Sequence, residues 1–155
     1  MNEPRIVNNI IYYPIMEAFY SIQGEGHFAG TPSYFIRLAG CDVGCSWCDV
    51  KESWEVSENQ YVGIDLVLAT RTRSKPKHII ITGGEPAMYN LQPLTQMLKQ
   101  NGYLIHLETS GAYPISGAFD WICVSPKRFK LPLNESLAKA DELKMIVVNK
   151  QDLIW

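Results

Sequence analysis

No run of roughly 18 apolar residues occurs anywhere in the 155-residue chain, so the sequence encodes no membrane-spanning helix. The opening residues, Met1-Asn2-Glu3-Pro4-Arg5, lack the basic start and apolar stretch of a secretory leader, and a cytoplasmic protein is expected. A strong charge of one sign is also missing. Fourteen Lys and Arg stand against sixteen Asp and Glu, a net charge of −2, so no loose electrostatic hold on nucleic acid is expected. A local basic patch around Lys127, Arg128 and Lys130 stays open. Internal repeats and low-complexity linkers are absent. Cysteine is scarce. With four in the chain and three of them within eight residues, metal ligation is the first reading and a disulfide framework is not. What remains is 46% apolar and 19% charged, a globular composition of a length that fits one domain with one core.

The pattern along the chain alternates strands and short helices. Ile15-Met16-Glu17-Ala18-Phe19-Tyr20 reads as a first strand, and Ser33-Tyr34-Phe35-Ile36-Arg37-Leu38-Ala39, rich in aromatic and branched residues, as a second. Residues 64 to about 73 read as a helix, with Asp65 in its first turn, Arg71 and Arg73 in its last, and Pro76 just beyond. His78-Ile79-Ile80-Ile81-Thr82 is the continuous apolar run of a strand buried on both faces of a parallel sheet. A helix capped by Asn90, with Leu91, Leu94, Met97 and Leu98 on one face, stops at Gly102. Strands follow at 103–108 and 120–124, then a helix at 134–140 and a strand at 143–148. This is the pattern of a parallel α/β fold, in which ligands gather beyond the carboxyl ends of the strands. Thr82-Gly83-Gly84-Glu85, Glu108-Thr109-Ser110-Gly111 and Ser125-Pro126-Lys127 all fall at such ends, and the cysteine loop follows another strand. Four loops on one face describe one site.

The loop reads Cys41-Asp42-Val43-Gly44-Cys45-Ser46-Trp47-Cys48. Thiolates suit iron–sulfur clusters, zinc and Cu(I). Structural zinc takes four ligands, and no histidine stands at finger-like spacing, although a zinc knot remains the alternative. A cubane held by three cysteines keeps one iron open to a small molecule. Cys123, inside the apolar Trp121-Ile122-Cys123-Val124, reads as a buried core thiol. Arg37 offers a planar guanidinium suited to a carboxylate, or is a strand-surface charge. Gly83-Gly84 lets backbone approach a cofactor closely, or is a plain turn. Glu85 can accept hydrogen bonds from an ammonium group. Glu108 is either a core carboxylate or a site wall. His27, His78 and His106 belong to no motif.

The CxxxCxxC loop, with an aromatic before its last cysteine and a later Gly-Gly-Glu-Pro, resembles the radical S-adenosylmethionine superfamily. Gln23-Gly24-Glu25-Gly26, Arg37-Leu38-Ala39-Gly40-Cys41, Cys48-Asp49, Thr82-Gly83-Gly84-Glu85-Pro86, Glu108-Thr109-Ser110-Gly111, Ser125-Pro126-Lys127 and Glu142-Leu143-Lys144 occur in that order. The set is similar to the 7-carboxy-7-deazaguanine synthase family over nearly the whole chain. The resemblance implies an incomplete TIM-like barrel of parallel strands, about six of them, a closed barrel needing about 250 residues. It implies a lyase of queuosine biosynthesis that contracts the ring of 6-carboxy-5,6,7,8-tetrahydropterin with loss of ammonia, using a 4Fe-4S cluster, S-adenosylmethionine and Mg²⁺. It places the cluster on Cys41, Cys45 and Cys48. Substrate contacts fall to Ile22, Gln23, Gly24, Arg37 and Thr82, and cofactor contacts to Gly84, Glu85, Ser125, Pro126 and Lys127. The family works as a homodimer, with an electron donor such as flavodoxin or ferredoxin.

Two features depart from the family. Val50 follows Cys48-Asp49 where a threonine hydroxyl often reaches Mg²⁺, so no protein ligand is assigned to that ion. The family also continues beyond the position of Trp155, so residues 1–155 are expected to form a single radical S-adenosylmethionine domain shortened at its C-terminal end, or one whose apolar Leu153-Ile154-Trp155 end a partner covers. The rival readings are a glycyl-radical activase of the same superfamily and a catalytically dead metal-binding module.

Overall fold

The computed structural model describes residues 1–69 and 76–154. Eight strands form one mixed sheet: β1 (Arg5–Val7), β2 (Ile10–Ile22), β3 (Pro32–Leu38), β4 (Tyr61–Gly63), β5 (His78–Gly83), β6 (Leu104–Thr109), β7 (Trp121–Val124) and β8 (Glu142–Leu143). Their order is β1-β2-β3-β5-β6-β7-β8, with β4 also paired to β2. From β3 to β8 every pairing is parallel. The helices are α1 (Ile64–Ala69), α2 (Gln92–Gln100) and α3 (Asn134–Ala138). The expected α/β parallel half-barrel is therefore present as an open sheet.

Its first strands run differently from the expectation of parallel strands alone. β2 is longer than foreseen and pairs antiparallel with β1, β4 and β3. The reason is local. Asn8 and Asn9 both adopt positive φ, at 49° and 63°, which makes the two-residue turn that folds β1 onto β2. A register shift between Ile15 and Glu17 falls where β2 passes from its pairing with β1 and β4 to its pairing with β3. At the other end, the expected strand at 143–148 is only Glu142–Leu143. The Lys144 amide still reaches the Val124 carbonyl at 2.9 Å, but β7 ends there and leaves the chain beyond it no ladder to join. The helix expected over 64–73 is seen as α1; its remainder, with Arg71 and Arg73, lies outside the described residues, as does Trp155.

Alternation along the strands divides the sheet into two faces. Tyr34, Ile36 and Leu38 of β3, Ile79 and Ile81 of β5, and Ile105 and Leu107 of β6 form one buried cluster with Ile64 and Val67 of α1 and Leu94 and Leu98 of α2. Asn90 caps α2 from one residue further out than expected, its Oδ1 accepting from the Gln92 amide at 3.1 Å. The opposite face carries Phe35, Arg37, Thr82 and Glu108 toward a cavity. Below them on that face His106 is 2% exposed, with neither ring nitrogen hydrogen-bonded. His78 donates to or accepts from the Ser33 hydroxyl at 2.9 Å.

Candidate functional site

Register builds the site. Glu17 is opposite Arg37, Arg37 opposite Thr82, Glu108 opposite Cys123, and Cys123 opposite Glu142, so one row of side chains crosses the sheet near its carboxyl end. The Thr82 hydroxyl closes the remaining step by donating to Glu108 Oε2 at 3.3 Å. Above this row lies a cavity of about 430 Å³.

Its upper wall is the cysteine loop. Cys41, Cys45 and Cys48 all line the cavity as free thiols. The loop is irregular but firmly tied down. The Gly40 amide donates to the Ser53 carbonyl at 2.6 Å, Cys41 to Trp54 at 3.2 Å, and Cys48 to Cys45 at 3.1 Å. Asp42 accepts from Lys130 Nζ at 2.7 Å and from the Tyr113 hydroxyl. Burial pushes the Cys41 and Cys45 thiols up, with Lys127 opposing the shift at Cys45. Among the described residues no three His, Cys, Asp or Glu side chains could hold a single metal ion. Three thiolates on one wall with no histidine among the lining residues are a donor set that suits an iron–sulfur cluster better than a four-ligand zinc knot.

The glycine turn after β5 packs directly beneath. The Gly84 amide donates to the Leu38 carbonyl at 3.0 Å and the Glu85 amide to the Gly40 carbonyl at 2.8 Å. A Cβ at Gly84 would sit 2.4 Å from the Gly40 oxygen and 2.8 Å from the Cys41 Cβ, so only glycine lets the turn meet the cysteine loop. Glu85 is buried, and its carboxylate is occupied within the chain. It accepts from the Ala87 amide at 2.9 Å, the Ser110 amide at 2.8 Å, and the Thr109 and Ser110 hydroxyls. That uses its acceptor capacity and joins the ends of β5 and β6, leaving little for a ligand's ammonium.

On the remaining sides, Ser125 and Lys127 line the cavity. Lys127 Nζ donates to the Ser125 carbonyl at 2.8 Å and lies 5.4 Å from the centre of the Trp47 ring. Gln23 and Gly24 enter from the β2–β3 loop, and Gln23 Nε2 donates to Glu108 Oε1 at 2.8 Å. Glu108 is thereby a site wall, the alternative that sequence left open. Arg37 uses Nε on Glu17 at 2.6 Å, which aims the rest of its guanidinium. Val50 lines the cavity and offers only methyl groups, Asp49 lines it with a carboxylate, and the Ser53 hydroxyl is spent on the Val50 carbonyl at 2.7 Å.

Most residues singled out in the sequence therefore meet at one cavity. Ile22 and Pro126 do not line it. Ile22 is 62% exposed at the end of β2, and Pro126 borders a second hollow of about 300 Å³ beside Trp47 and Phe129. Sequence reasoning gave no role to Glu25 and Lys144, which also line the cavity. Their signal was membership in ordered motifs, without any pattern to say which way they face.

A family model described as a 4Fe-4S single cluster domain matches residues 22–107. The chain is 51% identical to a 7-carboxy-7-deazaguanine synthase of Flavobacterium psychrophilum over 142 residues, 92% of this chain and 67% of the relative. It is 48% identical to one from Synechocystis sp., over 94% of this chain and 70% of that relative. The crystal structure of QueE from Escherichia coli matches with a TM-score of 0.84 at 37% identity, covering 92% of this chain and 74% of that one.

Proposed function

The chain belongs to the family of the 7-carboxy-7-deazaguanine synthases, iron–sulfur radical lyases of queuosine biosynthesis, and from that premise we propose how its cavity works on its substrate. The substrate is 6-carboxy-5,6,7,8-tetrahydropterin, which is contracted to 7-carboxy-7-deazaguanine with release of ammonia. One observation carries this assignment: the three thiols, the Gly83-Gly84 turn, Ser125, Lys127, Gln23, Arg37 and Thr82 come from separate loops and strands yet line one cavity.

Cys41, Cys45 and Cys48 would hold the 4Fe-4S cluster. Gly84, Ser125 and Lys127 would form the S-adenosylmethionine side, with Pro126 joining the last two from behind the wall, and Glu85 would serve that side as the anchor of its turn. When bound, the cluster and S-adenosylmethionine would supply one-electron radical chemistry toward C6 of the pterin. The chain's own side chains do the rest. Arg37, aimed by Glu17, receives the substrate carboxylate on its terminal N–H groups. Gln23, Gly24 and Thr82 frame the ring, with Ile22 at the edge of that loop. The Val50 side chain has no oxygen to offer Mg²⁺, so the ion would be held through substrate oxygens, water and another ligand. Residues 1–155 act as one radical S-adenosylmethionine domain. The enzyme works in the cytoplasm as a homodimer, fed electrons by a flavodoxin or ferredoxin. No helix among the described residues is long and apolar enough to cross a membrane.

The test is an anaerobic product assay on the reconstituted protein. Appearance of the deazaguanine with an equal amount of ammonia supports the proposal. A loaded cluster that cleaves S-adenosylmethionine but leaves the pterin intact sinks it, and favours an activase of the same superfamily.

A further inference from the structure

Glu142-Leu143-Lys144 is an ordered motif that none of the roles above uses. β8 is two residues long, yet side chains from this segment reach across to the β2–β3 loop. Glu142 Oε2 accepts from the His27 amide at 3.2 Å and from Trp121 Nε1 at 3.0 Å. Gly26, at φ +71°, lies so close to this carboxylate that a Cβ would sit 2.0 Å from Oε1. Two residues on, Lys144 Nζ donates to Glu25 Oε2 at 2.8 Å and stands 3.9 Å from Glu108 Oε2. Glu108 in turn accepts from Gln23 Nε2 at 2.8 Å. Glu25, Lys144, Glu108 and Gln23 thus form a ring of side chains, all facing the cavity.

Two carboxylates on one cavity wall repel each other and turn toward solvent unless a cation sits between them. Lys144, with a side chain 32% exposed beside a Glu108 side chain 20% exposed, is that cation. Burial alone would lower its ammonium, but Glu108 and Glu25 outweigh burial and hold it above its ordinary value, so it stays charged.

We propose that Lys144 is a positioning residue for substrate: it holds the Glu25 and Glu108 carboxylates, and through Glu108 the Gln23 amide, where they meet the N–H edge of the pterin ring. This selects a heterocycle rich in hydrogen-bond donors, while Arg37 takes the carboxylate at the other end. The inference rests on the cavity being the pterin site proposed above.

Lys144→Met removes the charge at nearly constant length, and Lys144→Arg keeps it. Amide hydrogen exchange over residues 23–27 needs no substrate. It should quicken about tenfold in Lys144→Met, about 1.4 kcal/mol, and stay near wild type in Lys144→Arg. In the reconstituted enzyme without oxygen, the KM for 6-carboxy-tetrahydropterin should rise about tenfold in Lys144→Met, with kcat changed by much less. The cluster's visible absorbance and substrate-free cofactor cleavage should stay at wild-type level, and Lys144→Arg should recover most of the loss. Unchanged exchange or unchanged KM in Lys144→Met overturns the inference. So does a deficit shared equally by Lys144→Arg, or a loss of cluster absorbance, because either marks Lys144 as general scaffold. Quickened exchange in a protein whose wild type, cluster loaded, does not turn over the pterin overturns the substrate reading and leaves the positioning role standing.

Discussion

Arg37 and Cys123 show how one side chain's surroundings decide its use. Arg37 spends Nε on Glu17 and sits in the cavity wall, so its terminal N–H pair is presented in a fixed direction. Lysine carries the same charge but cannot bond Glu17 and a substrate carboxylate together in that geometry. Arg37→Lys should weaken anaerobic pterin binding tenfold to a hundredfold, on the order of 1.5–3 kcal/mol, without changing the cluster spectrum. Equal binding by both forms would reduce Arg37 to a partner of Glu17. Cys123 is buried in β7, and burial pushes its thiol up to about 11. Such a thiol is inert. Cys45→Ala should abolish the cluster's visible absorbance while Cys123→Ala preserves it. In the unreconstituted protein, alkylation near neutral pH should spare Cys123.

Among the elements, α2 stabilises the site without touching ligand, and β5 does so with the face opposite Thr82. Leu94 and Leu98 of α2 are fully buried in the same cluster as Ile79, Ile81, Ile105 and Leu107. Those isoleucines and leucines alternate with Thr82 and Glu108, so the packing that buries one face of a strand aims the other face at the cavity. Leu98→Ala should cost about 3 kcal/mol in urea unfolding, from lost burial and the void left behind. Leu66→Ala in α1, at an exposed position, should change stability by no more than about 0.5 kcal/mol. If both substitutions cost the same, the assignment of the core is wrong. Glu85 works similarly between elements. It ties β5 to β6 through Thr109 and Ser110, and the glycine turn it anchors supports the cysteine loop.

The molecule as a whole should be acid-sensitive for a reason in its interior. Burial drives His106 down from 6.5 to about 4, and it lowers His78 as well. Between those two values the unfolded chain binds a proton that the folded chain refuses, so stability falls as pH drops from about 6.5 toward 4. For His106 alone the loss is on the order of 3 kcal/mol. The urea midpoint of wild type should drop clearly between pH 7.5 and pH 5, and that of His106→Leu much less; parallel drops would place the sensitivity elsewhere. No motif marked this histidine, because its effect comes from neighbours brought together by strand pairing. Much else was legible in the chain alone. Cys41, Cys45 and Cys48 lie within one short loop, and local spacing suffices to bring three thiols to one cavity wall. The continuous apolar run at 78–82 marks a strand buried on both faces, and the Leu91-Leu94-Leu98 face repeats at helical period; both patterns report burial directly. The β1–β2 hairpin went unread, although Asn8-Asn9 carries a turn signal for it. Other features depend on contacts far apart in sequence: the early end of β8 where β7 stops, the engagement of Glu85 within the chain, and the Glu25–Lys144–Glu108 ring. Each depends on strand register and on which side chain finds a partner at about 3 Å, and no run of residues encodes its own partner across a sheet.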